Sequence, residues 1–480
     1  MRIASRQYRD AAQLAELERQ LEALPGSTTL LFERACALED LGWDEAAARA
    51  YEEILAREPR HLGARINLGT MLHERGDLAG ARTLFATAVE HHPFAPIAHV
   101  SLAKMLVEAG ESERALTHYG RALELEPDDF AANHGLALAH EALGNRAAAD
   151  AAFARAFAAR AWWTLPYRGE GTPLRVLLFV SGRGGDLVAH PFLDDRVVET
   201  TMLVPDGVTP GTPLPPHDIA FNGIGDADRC RPSLERAAAI LPPASGAINH
   251  PARVLETGRV AIGARLGRIA GVVAPRMMRA ARAAIDPLRL AAGGWTYPLL
   301  LRSLGHHAGR YFVRVDEPAR LAASLASVPG DEVLAIAFVD TRGADGCYRK
   351  YRMLFIGGGM YPVHLAIARD WKVHYFSADM RDDAGHRAEE ARFLDDPRAA
   401  LGANVFETLA LIGRMLALDY GGIDFGVDAS GRVVLFEANA TMAIYPPEPD
   451  PCWGYRRPAY DAAVAAVRAL LAERAGAVWE

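Results

Sequence analysis

The chain has 480 residues, more than one hydrophobic core usually organises, so we expect two or three domains. Half of its residues are apolar, 23% are charged and its formal net charge is −8, which is typical of a globular protein and not of a nucleic-acid-binding one. No apolar run approaches the roughly 18 residues of a membrane-spanning helix and no leader pattern opens the sequence, which predicts a cytoplasmic location. The four cysteines lack a CxxC spacing, so ordinary thiols are favoured over disulfides or a zinc site.

The first third of the chain repeats itself every 34 residues. The recurring positions are Gly42, Gly76, Gly110 and Gly144; Pro59, Pro93 and Pro127; Ala35, Gly69, Ala103 and Ala137; Ala47, Ala81, Ala115 and Ala149; and Tyr51, Phe85, Tyr119 and Phe153. A small residue lets the two helices of a repeat approach, and an aromatic residue fills the gap to the next repeat. Glycine is expected to end the first helix of each repeat and proline the second.

These registers resemble the tetratricopeptide family, although the family's usual early tryptophan is absent. The resemblance implies an all-α solenoid of four repeats over residues 27–162, and an amphipathic helix from about Asp10 to Leu24, within residues 1–26, would cap it. Such arrays usually offer a concave surface to a peptide or protein segment, so the resemblance implies a peptide or protein partner. A spacer or a dimerisation arm, and with it a homo-oligomer, is the alternative.

A second domain follows the repeats. Residues 163–173 are rich in turn residues and predict a linker. From Leu174 onward short apolar strands alternate with glycine turns, which predicts an α/β domain whose first subdomain spans residues 174–255. The turn Gly182–Gly185 lacks both the dinucleotide fingerprint and the lysine of a P-loop, so a tight turn is favoured over a phosphate site.

Arginine is concentrated between Arg259 and Arg289, in a stretch whose pattern predicts helix. The arginines before its first acid are Arg259, Arg265, Arg268, Arg276, Arg279 and Arg282. They could face phosphates, an acidic peptide or a membrane surface, but a solvated helix face is favoured for most of them. Arginine is also the usual cation of this chain, which has only three lysines, Lys104, Lys350 and Lys372.

The most informative segment is Gly422–Asn439, which predicts a β-hairpin around the turn Asp428–Gly431. Asp424 and Glu437 should then lie near each other, with Asn439 on the same face as Glu437. Two carboxylates and an amide are hard oxygen donors, suited to a Mg²⁺ ion that bridges nucleotide phosphates. An unpaired carboxylate in a buried strand is costly, so a ligand site is favoured over a polar hairpin end with a capping asparagine.

The spacing from Asp424 to Glu437 and Asn439 resembles the metal-binding hairpin of the ATP-grasp superfamily. That superfamily includes glutathione synthetase, D-alanine–D-alanine ligase and the glutamate ligases that extend ribosomal protein tails. The resemblance covers most of residues 174–480 and implies an ATP-grasp α/β fold, with the ATP- and Mg²⁺-binding subdomains in residues 256–480. It implies ATP and Mg²⁺ as cofactors and these three side chains as metal ligands.

The resemblance also assigns a nucleotide site. Arg259 and Arg302 occupy positions where the superfamily has nucleotide-binding lysines. Guanidinium keeps the charge and binds phosphate bidentately, but loss of ordinary ATP turnover is the alternative. The other expected nucleotide contacts are a lid loop and a hinge strand. The lid loop has Ser303, Gly305, Gly309 and Arg310, and a surface hairpin turn is its alternative. The hinge strand, with Ile336 and Phe338, would lie against adenine, and Asp340 after it would contact ribose.

The remaining expected site residues belong to two strands. Lys350 and Arg352 lie on one face of a segment that resembles the strand whose arginine reaches the phosphates and the acceptor carboxylate, so catalytic roles are implied for both. His364, Trp371, Lys372 and His374 are expected to form the walls of the acceptor pocket. The alternative is that the aromatic residues belong to the core and the histidines are ordinary satisfied polar groups.

The resemblance implies an ATP-dependent, ADP-forming ligase. ATP would phosphorylate a substrate carboxylate, and an amine or another nucleophile would attack the resulting acyl phosphate. The repeats would hold a peptide or protein that is a substrate or a partner. The rivals are an adaptor that binds nucleotide without turnover through a degenerate ATP-grasp domain, and an enzyme that transfers phosphate to a small acceptor.

Overall fold

The structure, a computed structural model, describes residues 11–41, 43–158, 161–304, 311–330, 332–373, 378, 380–448 and 450–476. The chain divides into two compact units, Met1–Ala159 and Arg160–Glu480. Within the described residues, the first unit is all-helical and the second contains three β-sheets with helices.

The helices of the first unit follow the 34-residue period of the sequence. They are α1 (Ala11–Ala23), α2 (Thr28–Asp40), α3 (Asp44–Arg57), α4 (Leu62–Glu74), α5 (Leu78–His91), α6 (Pro96–Glu108), α7 (Ser112–Leu125), α8 (Phe130–Ala142) and α9 (Arg146–Ala158). The expected N-terminal helix is α1, and the other eight form four pairs. Side chains of Ser27, His61 and Asp129 accept backbone N–H groups at the starts of α2, α4 and α8, which satisfies donors that have no partner within the helix.

Glycine ends the first helix of a repeat, as predicted. Gly76, Gly110 and Gly144 follow α4, α6 and α8 with φ angles of 85°, 80° and 75°. This left-handed conformation has little steric cost for a residue without Cβ, and it lets the chain leave the helix. Gly42, the equivalent position of the first repeat, lies outside the described residues.

The small residues allow the close approach that the sequence predicted. A Cβ atom added to Gly69, one of the predicted small positions, would lie 2.6 Å from Cε1 of Phe85. One added to Gly135, which the sequence did not single out, would lie 2.2 Å from Cζ of Tyr119. Both rings are buried, so the helices meet where only hydrogen separates backbone from ring. The recurring alanine and aromatic positions form the core of the array.

A second regularity connects each of the last three repeats to the turn before it. Arg65, His99 and Asn133 occupy equivalent positions, 34 residues apart. A side-chain nitrogen of each lies within hydrogen-bond distance of the carbonyl oxygen of the proline six residues earlier, at 3.0 Å for His99 and Asn133. Three different side chains therefore satisfy the same backbone acceptor in successive turns.

The second unit is built from strands and shorter helices. Its strands are β1 (Trp162–Thr164), β2 (Leu174–Phe179), β3 (Val198–Leu203), β4 (Ile219–Asn222), β5 (Val272–Val273), β6 (Met277–Ala281), β7 (Leu299–Ser303), β8 (Phe312–Val315), β9 (Glu332–Ala337), β10 (Tyr348–Ile356), β11 (Gly359–Ala368), β12 (Tyr420–Val427) and β13 (Val433–Asn439). Its helices are α10 (Arg231–Ile240), α11 (Pro251–Val254), α12 (Arg259–Leu266), α13 (Pro287–Ala292), α14 (Leu321–Ala326), α15 (Ala384–Asp395), α16 (Pro397–Leu401), α17 (Ala403–Leu416) and α18 (Arg457–Ala475).

The first sheet has the order β1-β3-β2-β4, with β2 parallel to β3 and to β4. The first strand predicted from the sequence, which begins at Leu174, is present as β2. The sequence placed Trp162 at the end of the repeats and the next residues in a linker, but Trp162–Thr164 form β1 and pair with β3. Because β3 and β4 lie on opposite sides of β2, the chain reverses its winding direction at the carboxyl end of β2, where the glycine turn lies.

Two further sheets complete the second unit. The antiparallel sheet β6-β9-β7-β8 has a hydrophobic core of its own, whereas the five-stranded sheet β11-β10-β12-β13-β5 shares a core with the first sheet. The prediction of helix across residues 259–289 was wrong in its middle. Helices occupy 259–266 and 287–292, but 272–273 and 277–281 are strands, and β6 pairs antiparallel with β9.

Candidate functional site

A cavity of ≈ 470 Å³ lies between the antiparallel sheet and the five-stranded sheet. It collects most of the residues that the sequence singled out. Those that line it are Arg259, Arg302, Ile336, Phe338, Lys350, Arg352, His364, Trp371, Lys372, Asp424, Glu437 and Asn439. Residues drawn from separate strands and loops therefore meet in one place, which spacing along the chain alone does not guarantee.

The hairpin β12–β13 supplies the acidic residues. Asp424 and Glu437 are directly opposite each other in the antiparallel register, as predicted. Asn439 donates from Nδ2 to Oε1 of Glu437 at 3.0 Å, which places both side chains on one face. The amide oxygen of Asn439 accepts instead from the backbone N–H and the hydroxyl of Thr441, both at 2.9 Å.

Asp424 is held by two cations of β10. Nε and one terminal nitrogen of Arg352 donate to its two oxygens at 2.7 and 2.9 Å, and Nζ of Lys350 lies 3.1 Å from one of them. This follows from the register, because β10 places Arg352 opposite Asp424 and alternation brings Lys350 to the same face. Burial raises the pKa of Asp424, but the charges of Arg352 and Lys350 outweigh burial and hold that pKa well below its usual range.

Glu437 is paired with the first residue of α12. Arg259 donates from a terminal nitrogen to Oε1 of Glu437 at 2.5 Å, and its own backbone N–H donates to Asp228. Burial raises the pKa of Glu437, yet Arg259 and Arg302 bring it below its ordinary value. Burial lowers the pKa of Arg302, and the neighbouring charge of Arg259 lowers it further.

This end of the cavity suits a polyanion. Four cations, Arg259, Arg302, Lys350 and Arg352, surround two carboxylates, so the cluster carries a net charge of about +2. Guanidinium groups can exchange a carboxylate for phosphate oxygens with the same bidentate geometry. In the part of the chain that the structure describes, no three His, Cys, Asp or Glu side chains are grouped to hold a metal ion, and the expected set here has two carboxylates and one amide.

The other end of the cavity is apolar and aromatic. Trp371 meets Phe312 and Phe338 edge to face, with ring centroids 5.3 and 6.4 Å apart. Ile336 of β9 lines the same wall, and the guanidinium of Arg314 lies 4.4 Å from the Phe338 centroid. Trp371 thus stands beside the residues expected against adenine, whereas the sequence assigned it to the acceptor pocket.

Several predicted residues do not line the cavity. Ser303 is buried and donates from its hydroxyl to the carbonyl of Pro329 at 2.9 Å. Asp340 is exposed and pairs with Arg342 at the surface, so no ribose contact follows from its position. Gly305, Gly309, Arg310 and His374 lie outside the described residues.

The arginine-rich stretch divides into one site residue and several structural ones. Arg259 reaches the cavity. Arg265 pairs with Glu256, Arg279 pairs with Glu332, and Arg282 donates to backbone carbonyls that include Gly330 at 2.7 Å. These contacts fix loops and strand ends, so among these four only Arg259 lines the cavity.

His364 adjoins the cluster of cations and carboxylates. It sits opposite Arg352 in the β10–β11 register and is 4% exposed. Burial, and then the charge of Arg352, lower the pKa of His364 well below its usual range, so its imidazole stays neutral at physiological pH.

Sequence reasoning missed Asp186 and Arg456, which also line the cavity. Asp186 follows the glycine turn at the end of β2, and its side chain accepts the Ser181 backbone N–H at 2.7 Å. Burial raises the pKa of Asp186 to about 7. Asp186 could have been found from sequence, because a polar residue where an α/β sheet reverses its winding direction often contacts a ligand. Arg456 ends a 3₁₀-helix, Pro451–Arg456, directly before α18, where no local sequence pattern marks it as a site residue.

Comparison with known proteins identifies the first unit. Residues 32–96 match the family model described as "Tetratricopeptide repeat", and residues 103–144 match the model described as "TPR repeat". The N-terminal array consists of tetratricopeptide repeats. Repeats of this type suggest protein–protein interaction, so protein partners are implied for the tetratricopeptide unit.

Solved structures resemble part of the chain. A crystal structure of MamA has 19% identity, covering 30% of this chain and 85% of that one, with a TM-score of 0.28. MamA 41-end from Desulfovibrio magneticus RS-1 has 18% identity, covering 30% and 82%, with a TM-score of 0.28. A thermophilic TPR protein in Thermus thermophilus has 26% identity, covering 30% and 80%, with a TM-score of 0.27.

No curated protein matches the chain. Among the helices that the structure describes, none is both long enough and apolar enough to cross a membrane.

Proposed function

We propose that the second unit is an ATP-dependent ligase of the ATP-grasp type and that the tetratricopeptide repeats bind a peptide or protein that is its substrate or partner. A substrate carboxylate oxygen would attack the γ-phosphorus of ATP and release ADP. An amine would then attack the acyl carbon, release phosphate and lose a proton, which leaves an amide. Mg²⁺ would neutralise phosphate charge during this transfer.

The observation that carries the proposal is the cavity that joins an aromatic wall to a cluster of four cations and two carboxylates. The aromatic wall of Phe312, Phe338 and Trp371 suits a flat apolar base. The net charge of about +2 in the cluster complements the charge of about −2 on a Mg²⁺–ATP complex. The second unit therefore offers chemically matched walls to the base and to the phosphates of a nucleotide.

Carboxylate oxygens are donors of the type that Mg²⁺ prefers, but in this structure both carboxylates are paired with cationic side chains. Arg352 and Lys350 hold Asp424, and Arg259 holds Glu437. If phosphate groups drew these cations away, both carboxylates would lose their partners in a buried site, and Asp424 and Glu437 would then hold a divalent cation that supplies the missing positive charge. Asn439 would have to turn its amide to offer oxygen, since its oxygen now faces Thr441.

The test is acceptor-dependent ADP release from ATP and Mg²⁺ by the purified chain. Glu437→Ala should abolish ADP release, because it removes a metal ligand and leaves Arg259 unpaired. Glu332→Ala is the matched control, since Glu332 forms a comparable ion pair with Arg279, with both side chains about half exposed and outside the cavity.

A second candidate is supported by the two arginines at the expected lysine positions, Arg259 and Arg302. It is an adaptor that binds nucleotide without turnover. Tight binding of ATP with no ADP release across carboxylate and amine acceptors would favour this adaptor. ATP hydrolysis that proceeds equally in the Glu437→Ala variant would contradict both candidates.

A further inference from the structure

We infer that Arg456 forms a second anion site on another wall of the same cavity, where it binds a carboxylate of the substrate that is not the one activated. The inference deepens the proposed function and rests on it for the reaction, although binding can be measured without turnover. It names the substrate as a small molecule or chain end that carries such a carboxylate.

The position of Arg456 follows from the sheet. Arg352, which holds Asp424, is opposite His364 in the β10–β11 register. The next residue, Leu365, donates its backbone N–H to Oε1 of Glu390 at 3.2 Å. The other oxygen of Glu390 accepts from Arg456 at 3.1 Å from Nε and 2.7 Å from a terminal nitrogen. Strand β11 therefore connects the two arginines, and it fixes the position of Arg456 relative to the cluster of cations and carboxylates.

The guanidinium of Arg456 is rigidly held. Its side chain is 10% exposed and that of Glu390 is fully buried. The Cζ atom of Arg456 lies 3.9 Å from the centroid of the Trp453 ring. The hydroxyl of Tyr455 donates to the same oxygen of Glu390 that Arg456 contacts, at 2.5 Å. A planar cation fixed on one edge and one face loses little conformational entropy when it binds an anion.

The stability of the fold does not by itself explain the ion pair between Arg456 and Glu390. A buried ion pair is often no more stabilising than apolar side chains of similar volume, so stability alone gives no reason for a charged pair here. Arg456 lines the cavity together with Ala459, Tyr460 and Ala463, which follow it at helical spacing along the start of α18. This one face presents a cation beside methyl groups and a phenol ring.

That combination suits a carboxylate attached to a short, largely apolar body. A free amino acid and the C-terminal residue of a peptide both present this chemistry. A peptide would connect the cavity with the protein-binding repeats, whereas a free amino acid would not need them. The experiment therefore uses both kinds of compound.

Binding is measured as the rise in melting temperature of the full chain with Mg²⁺ and a non-hydrolysable imido analogue of ATP. The probes are the common L-amino acids and short peptides, each with a free carboxylate and as the carboxamide. We expect the free acids of one class, either the amino acids or the peptides, to raise the melting temperature. The corresponding carboxamides should not raise it. Arg456→Gln should weaken binding of the acid by about 10- to 100-fold, as expected for loss of a charge-assisted hydrogen bond.

Two further variants control the measurement. Arg381→Gln is the matched control, because Arg381 also contacts the Trp453 ring but is exposed, pairs with Glu448 and does not line the cavity. If Arg456→Gln lowers the melting temperature without ligand, the double variant Arg456→Gln with Glu390→Gln removes both buried charges and takes its place.

The outcomes separate this inference from the proposed function. Equal binding of acid and amide, an acid preference that survives in the Arg456 variants, or no binding by any acid would overturn the carboxylate site. Acid-specific binding that is lost in those variants, together with an absence of ADP release, would retain the site and reject the ligase. ADP release without an acid preference would retain the ligase and reject the site.

Discussion

Replacing Asp424 by asparagine removes one negative charge from the middle of the buried cluster. Asp424 is 3% exposed, and its oxygens accept both donors of Arg352 and face Lys350. Asparagine has the same shape but leaves these two cations without their counter-charge. Removing one partner of a buried ion pair typically destabilises a protein by about 3–5 kcal/mol, so we expect Asp424→Asn to lose that much free energy of unfolding.

The same hairpin provides a matched control. Asp428 pairs with Arg432, whose side chain is 56% exposed. Asparagine at 428 keeps the side-chain oxygen that accepts the backbone N–H groups of Ser430 and Arg432. The Asp428 side chain is 9% exposed, but its partner is solvated, so the change removes only an ion pair to an arginine that water can stabilise. Such pairs contribute about 0–1 kcal/mol, and Asp428→Asn should therefore be nearly neutral.

Urea unfolding followed by tryptophan fluorescence measures the difference, since six of the seven tryptophans belong to residues 160–480. The depressed pKa of Asp424 adds stability above the ordinary aspartate pKa of about 3.9, and this contribution falls as pH decreases below that value. The gap between the two variants should therefore narrow from pH 7 to pH 3. Equal losses for Asp424→Asn and Asp428→Asn at pH 7, or a gap that does not change with pH, would refute the buried-pair argument.

Further changes test the repeats and the cavity wall. Gly135→Ala should destabilise its repeat by about 1–2 kcal/mol, because the new methyl group meets the Tyr119 ring, while Gly120→Ala should stabilise its helix by up to about 1 kcal/mol in open space. Hydrogen exchange of peptides from α7 and α8 measures both, and equal protection in the two variants would contradict the close approach. Because burial raises the pKa of Asp186 to about 7, ionisation costs stability as pH rises from about 4 to 7. Asp186→Asn should therefore match the natural chain near pH 4 and be more stable at pH 8 by up to about 4 kcal/mol, measured by thermal unfolding at each pH. An Asp186→Asn chain that gains nothing at pH 8 would show that this carboxyl is not desolvated. Trp371→Ala should weaken ATP binding and spare tripolyphosphate binding in titration calorimetry, and equal losses for both ligands would argue against an adenine wall.

Local and periodic features of this chain were predictable from sequence. The 34-residue step indicated the helix pairs because each repeat needs the same small and aromatic contacts. The hairpin that brings Asp424 to Glu437 was predictable because strands alternate and a four-residue turn fixes their register. The pairing of Arg352 with Asp424 needed one further step, the adjacency of β10 and β12, which no local pattern indicates.

Features that depend on distant partners were not predictable. Residues 277–281 were expected to be helical because arginine and alanine are frequent there, but pairing with β9 makes them a strand. Arg456 and Glu390 are 66 positions apart in the sequence, and only the packing of α15 and α18 around β11 brings them together. Asp340 showed the converse: its position after a hinge-like strand suggested a ligand contact, but a neighbouring arginine binds it at the surface.

The three residues that reach back to the proline carbonyls have a consequence for how such arrays are recognised and built. Arginine, histidine and asparagine differ in shape and in charge at physiological pH. Each nevertheless supplies a nitrogen donor at the same position of its repeat. The first repeat has Leu31 at this position, and Arg57 donates to the carbonyl oxygen of its Pro25 at 3.0 Å instead. A designed array could therefore vary this position among nitrogen donors, or satisfy the carbonyl from a different helix, without leaving the acceptor unpaired.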